Sequence, residues 1–320
     1  MTSYPFTQAE LLADIHALDA AWLGKAAEAT AACKAAGHYV KETAAGKEID
    51  GLWGDIKGVF IKRQHGKCCY CERLLESPAF GKIEHDVEHY RPKGRVKDWF
   101  TAEVKSDFPD WPPSLRQSSA SAKGYHRLAF DPRNYATSCK TCNSTLKSDY
   151  FPVAGTPKLG AASPAGARGE KPYVIFPAGD GDERAESLIQ FDGILAQPVH
   201  DAAADPFRHW RARVTIRFFR LNRTAPEGTA APGEEGRENL YRGRAEALRA
   251  LADCLDAIET SSNAAVRELR KATVRRLIAA KSPHANCCNS FVRLWAAPAT
   301  RAAAIAHWMD AETYLQSEGG

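Results

Sequence analysis

Apolar residues in the first part of the chain recur at helical spacing. Leu11, Leu12, Ile15, Leu18 and Trp22 share one side of a helix in an alanine-rich stretch, which predicts helix over residues 7–45. Thr7 followed by Glu10 has the spacing of a capping box, so the helix is expected to start there. Gly46, Gly51, Gly54 and Gly58 then loosen the pattern ahead of Val59-Phe60-Ile61. Further on, Tyr173-Val174-Ile175-Phe176 is a short strand candidate, and residues 190–195 suggest a hairpin turning at Asp192-Gly193. Asp205-Pro206 has the form of an N-cap with proline at the first helical position. The helix it opens puts Trp210, Val214, Phe218 and Leu221 on one face and Arg213, Arg217 and Arg220 on another. After a Gly/Pro/Glu loop at 224–236, residues 237–281 read as one or two amphipathic helices with Leu240, Leu248, Leu251, Leu255 and Ile258 inward. A last helical segment covers about 290–316, and no internal repeat is visible.

Composition narrows the class. A chain of 320 residues with ordinary apolar content can bury a substantial core in one to three domains. The net charge of +4 identifies no partner by itself, but its distribution is uneven. Eleven Lys/Arg stand against seven Asp/Glu from Lys57 to Lys105, and six Arg against no acid from Arg208 to Arg223. A solvated face or pairing with acids of neighbouring helices is the ordinary reading of such stretches, and nucleic-acid contact is the other. Glu10 and Asp14 interrupt the N-terminus, no signal peptide is visible and no stretch reaches membrane-spanning length. Nine cysteines in a chain so expected to be cytoplasmic point to thiols and metal rather than disulfides.

The cysteine spacing carries the chemistry. Cys68 and Cys71 form one CxxC pair, and Cys139 and Cys142 a second. Two such pairs suit one tetrahedral zinc ion, and four sulfurs leave no open position, so its role is structural. Cys69 lacks the spacing, Cys287 and Cys288 read as core thiols, and Cys33 and Cys254 as ordinary helix residues. Between the pairs lies Glu88-His89-Tyr90-Arg91-Pro92-Lys93, and Asn143 directly follows Cys142. The zinc would therefore bring Asn143 toward the His89 segment. Phosphodiester cleavage needs a base, which His89 can supply near neutral pH, and a hard cation such as Mg²⁺ held by oxygen ligands. Glu88 and Asn143 offer those oxygens. Asp86 shares a strand face with Glu88 and is the alternative carboxylate. Glu88, touching His89 in the motif, is the preferred one.

These residues resemble the HNH family of nucleases, whose core is a ββα-metal fold. The match lies in CCYC at 68–71, EHYRPK at 88–93, Asn134 in DPRNY and CKTCN at 139–143. Within the family they resemble a bacterial group that includes the nuclease subunit of Septu-type and retron-associated defence systems, with RVTIRFFRLNR at 213–223 as a weaker extension. The resemblance implies that His89 activates water, Glu88 and Asn143 bind the catalytic metal, and Asn134 orients the catalytic loop. Arg91, Lys93 and Lys147 are candidate phosphate contacts by position. The final ligand is Asn rather than His, and the gap between His89 and Asn134 is long, with residues 98–123 reading as an insertion.

The expected architecture is α+β: an N-terminal helical segment (1–59), a small zinc-stapled core (60–153), a linker (154–170) and a mainly helical region with a short hairpin (171–320). The expected activity is Mg²⁺-dependent hydrolysis of nucleic acid, DNA first, in antiphage defence, with an ATPase or other defence subunit as partner. The alternatives are a zinc-dependent binding module without catalysis, or an RNA-cleaving toxin subunit restrained by its partner.

Overall fold

The computed structural model describes residues 1–75, 85–112, 115, 118–222 and 240–318. Arg223, the 224–236 loop and residues 237–239 lie outside the described residues.

Helix α1 (Gln8–Leu18) starts with the capping box: Thr7 Oγ1 accepts from the Glu10 amide at 3.2 Å, and Glu10 Oε2 accepts from the Thr7 amide at 2.7 Å. The helix does not run on to residue 45. It breaks at Asp19, resumes as α2 (Trp22–Ala36) and stops at Gly37, whose φ of 70° gives a left-handed C-cap. Val59, Phe60 and Ile61 lie inside a short helix, α3 (Lys57–Arg63), and all three are buried.

Strand β1 (His85–His89) pairs antiparallel with β2 (Tyr135–Cys139), matching His85 with Cys139 and His89 with Tyr135. The segment inserted between them contains α4 (Ala102–Asp107) and folds against α5 (Pro206–Phe218). Trp111 stacks on Trp210 at 5.2 Å, and Trp99 meets Phe218 at 5.3 Å. Arginines of α5 then find acids on the insertion: Arg213 reaches Asp110 at 3.2 Å, and Arg217 reaches Asp107 at 2.5 Å and Glu103 at 3.1 Å. Exposed ion pairs contribute about 0–1 kcal/mol each, so the buried aromatics carry this docking. Trp99 and Trp111 are thereby packed inside the fold, and Tyr125 is buried against Phe151.

The second hairpin joins β3 (Ile189–Asp192) to β4 (Leu195–Pro198) and turns at Gly193, φ 56°. Tyr173–Phe176 is buried but is not a strand. Its neighbourhood is limited to single bridges, Val153 with Pro172 and Tyr4 with Ala178. Pro172 and Pro177 flank it, and a proline has no N–H to extend a ladder. The described C-terminal helices are α6 (Leu240–Thr260), α7 (Ala264–Leu277), α8 (Ala285–Ala296) and α9 (Arg301–Glu318). Leu240, Leu248 and Leu251 are buried, whereas Leu255 and Ile258 are half-buried. Among the described residues the result is an α+β fold, helices around two small antiparallel pairs, with one apolar cluster running from Met1 to Ala311. No described helix is long and apolar enough to cross a membrane.

One close approach fixes the chain just after β1. Gly124, φ 52°, sits so near the 92–94 turn that a Cβ there would lie 1.9 Å from the Gly94 oxygen and 2.7 Å from the Pro92 oxygen. The Tyr125 amide donates to the Pro92 carbonyl at 2.8 Å. Both obstacles are backbone and cannot swing aside. Gly124→Ala is therefore expected to destabilise the protein by about 3 kcal/mol, read as a lowered urea midpoint. An unchanged midpoint would show that this packing is not maintained in solution.

Candidate active site and metal centre

Cys68 and Cys71 belong to the turn after α3, Cys139 ends β2, and Cys142 lies in a π-helical stretch, Thr141–Lys147. The four Sγ atoms lie within 4.8 Å of one another and all are buried. A tetrahedral zinc at about 2.3 Å from each sulfur requires sulfur–sulfur edges of about 3.8 Å. Cys71 and Cys139 stand 3.9 Å apart, far beyond a disulfide bond. The Cys142 amide donates to Cys139 Sγ at 3.4 Å, a partial neutralisation of that sulfur. Desolvation pushes the Cys68 thiol well up, so thiolates here need a cation to exist. Soft, closed and fourfold, the donor set fits a structural zinc. Cys69 is buried beside it but outside the cluster, its amide donating to the Thr137 carbonyl at 3.1 Å.

This knot places Asn143 against β1. Asn143 Nδ2 lies 3.2 Å from Asp86 Oδ2, and Ser144 Oγ is 3.4 Å from the same oxygen. Glu88, on the same strand face by the period of two, meets Lys147 instead: Nζ lies 2.6 Å from its Oε1 and also donates to the His89 carbonyl at 2.9 Å. Thus Asp86 is the carboxylate in contact with Asn143, and Glu88 is paired one turn further along the π-helical stretch. Burial pushes the Glu88 carboxyl up to about 7, and Lys147, Lys93 and the Tyr70 hydroxyl offset this only in part. Added positive charge beside Glu88 would be stabilised. An asparagine amide turned over exchanges its N and O, which would put two oxygens 3.2 Å apart at Asp86 and Asn143. Neighbouring ligands of an octahedral Mg²⁺ at about 2.1 Å stand about 3.0 Å apart. Asp86 and Asn143 could thus offer two neighbouring oxygens to a hard cation, whereas Glu88 is paired with Lys147.

His89 ends β1 with its ring between Trp53 and Tyr135, edge-on at 4.7 Å and 4.9 Å. Its Nε2 is 3.1 Å from the Ala129 carbonyl, which also accepts from the Tyr135 hydroxyl at 2.5 Å. A carbonyl only accepts, so Nε2 carries the proton. Burial, with Lys93 and Lys147 nearby, holds the imidazole well below its usual range. The ring is neutral near pH 7 and Nδ1 keeps its lone pair. Strand alternation puts His89 and the two carboxylates on opposite faces. Lys93 acts electrostatically on both Glu88 and His89.

Asn134 is fully buried and braces the turn after His89. Its Oδ1 accepts from the Arg91 amide at 2.9 Å, while its Nδ2 donates to the Arg91 carbonyl at 3.0 Å and the Leu128 carbonyl at 3.3 Å. Arg91 is sealed in by Glu170 at 2.6 Å, so the 154–170 stretch ends on a residue tied to the motif. Lys147 is equally sealed. Lys93 is half-buried, its ammonium 4.1 Å above the Trp53 ring and 5.4 Å from Tyr39. A cavity of about 520 Å³ lies behind Tyr90, Arg91 and Tyr135, and neither His89, the carboxylates nor Asn143 line it. Sequence reasoning missed Trp53, Tyr70 and the Ala129 carbonyl. Tyr70 lies inside the CCYC motif and was findable, whereas Trp53 sits among glycines with no local signal.

The purified protein is expected to carry one zinc per chain by elemental analysis. Cys139→Ser should lose it and lower the thermal midpoint sharply, while Cys69→Ser should keep it. Retention of zinc by Cys139→Ser would contradict the four-sulfur site. Over 125 residues the chain is 26% identical to the Septu protein PtuB of Bacillus mycoides (strain KBAB4), an alignment covering 39% of this chain and 35% of that protein. No family model matches the chain. No solved structure matches it.

Proposed function

We propose that the chain is a metal-dependent endonuclease of the HNH type, with a ββα-metal core within residues 60–153, acting in the cytoplasm as an antiphage defence effector. The observation that carries this reading is the neutral His89. Its Nε2–H is fixed on the Ala129 carbonyl, which leaves Nδ1 as the basic nitrogen, at the end of the strand whose other face carries Asp86 and Glu88 next to the four-cysteine cluster. The similarity to a Septu protein supports the defence setting, and with it a partner subunit such as an ATPase.

In this reading His89 Nδ1 takes the proton of the attacking water as its oxygen bonds to phosphorus and the bond to the leaving oxygen breaks. Burial disfavours the imidazolium so formed, which returns its proton readily to solvent. Asn134 keeps the turn after His89 in place. Asp86 and Asn143 would hold the catalytic cation, with Glu88 the further carboxylate on that face, and the cation would supply positive charge to the phosphate and the leaving oxygen. Lys93 is the phosphate contact. Arg91 and Lys147, both closed off by carboxylates, act as internal braces.

His89→Ala should reduce Mg²⁺-dependent plasmid nicking by about 10²–10⁴-fold while leaving zinc content and unfolding midpoint unchanged. Equal cutting by the variant would refute the mechanism, and binding without turnover under any divalent ion would favour the non-catalytic module. RNA assayed in parallel distinguishes the substrate. Asp86→Asn should raise the Mg²⁺ concentration needed for half-maximal nicking about tenfold or more. An unchanged requirement would leave Glu88 and Asn143 as the protein ligands.

A further inference from the structure

The basic stretch most visible in the sequence is largely neutralised within the fold. Arg208, Arg211, Arg213 and Arg217 all meet carboxylates. Residues 264–281 differ. They carry Arg267, Arg270, Lys271, Arg275, Arg276 and Lys281 against one acid, Glu268. No residue of α7 is buried. Glu268 is taken by Lys271 at 2.8 Å, and Arg267 donates to the Ser261 and Ser262 carbonyls after α6. Arg270, Arg275, Arg276 and Lys281 are exposed, and among the described residues no carboxylate pairs with them. Cations in the last turn of a helix gain about 0.3–1 kcal/mol from its dipole, which accounts for one or two of these charges. It gives no reason for Lys281, which lies beyond the helix.

The basic end of α7 abuts the candidate nuclease core. Lys67, beside the zinc ligand Cys68, donates to the Ser282 carbonyl at 2.8 Å. Burial, with Lys67 and then Lys281 nearby, lowers the exposed His65 imidazole of the same turn, whose amide donates to the carbonyl of exposed Lys62 at 3.1 Å. Lys67 itself is buried and faces Glu72 at 3.9 Å, so the exposed cation on this side of the contact is Lys62. Fourteen helical residues span about 21 Å, roughly six base steps of duplex.

We propose that Arg275, Arg276 and Lys281, with the zinc-knot turn, form a sequence-independent contact for the phosphodiester backbone of nucleic acid outside the catalytic site. The choice of a polyanion rests on charge complementarity and on the nuclease reading above. These side chains grip phosphates without reading bases.

The test is binding of a short DNA duplex to the full chain in a His89→Ala background, followed by fluorescence anisotropy at roughly 50 to 200 mM salt. Joint reversal by Arg275→Glu, Arg276→Glu and Lys281→Glu should weaken binding about tenfold or more. It should also reduce the slope of log Kd against log salt by about 2–3, near 0.9 per lost contact. Zinc content and unfolding midpoint report on folding, and the triple Gln substitution, with the same sign of effect, guards against a reversal that misfolds. Unchanged affinity and slope, with the parent protein binding, would overturn the proposal even if that protein with His89 restored cuts DNA. Patch-dependent binding without cutting by wild type would leave the contact standing and remove the nuclease reading. No binding and no cutting would remove both. Loss of association with a protein subunit, with DNA binding intact, would overturn the proposal in favour of an acidic protein partner.

Discussion

Four sulfurs gathered within 4.8 Å join a turn near residue 70 to the end of a strand near residue 140. Neither segment has much regular structure of its own. The turn is a few residues long, and the π-helical stretch after Cys139 has weaker hydrogen-bond geometry than an α-helix. An ion shared by the four sulfurs would fix their relative position. Because Cys139 pairs with His85 in the β1–β2 ladder, the same constraint fixes which residue of β1 faces Asn143.

Around that frame the site is governed by burial of charge. Glu88 and Lys147 are each about 1% exposed, and neither would be tolerated alone at that depth. Lys147 compensates Glu88 and also holds the His89 carbonyl, so one cation ties the carboxylate to the His89 backbone. On the other face of the strand, Trp53 and Tyr135 flank the His89 ring and the Ala129 carbonyl selects its tautomer. The imidazole is thus set by a backbone group and the carboxylates by charge.

Features written in short-range physics were legible in the sequence. The capping box at Thr7, the turn at Gly193, the N-cap at Asp205 and the two CxxC pairs each need only a few neighbouring residues. Features set by tertiary contact were not. Asp86 and Glu88 share a strand face, so periodicity cannot tell which one meets Asn143, and the register of the π-helical stretch decides it. Tyr173–Phe176 reads as a strand until its flanking prolines and single bridges are seen. The arginines of α5 and those of α7 look equally basic in the sequence. Only the acids of the inserted segment separate a paired set from an unpaired one. Trp53 reaches His89 from a glycine-rich stretch that no local pattern marks.

The most direct test of the central claim is a crystal structure of the protein grown with Mn²⁺, with anomalous maps recorded at the zinc and manganese edges. The account predicts one zinc peak equidistant from Cys68, Cys71, Cys139 and Cys142, and a manganese peak touching Asn143 and a carboxylate of β1. Sulfurs without a common ion, or manganese bound away from Asn143, would contradict it.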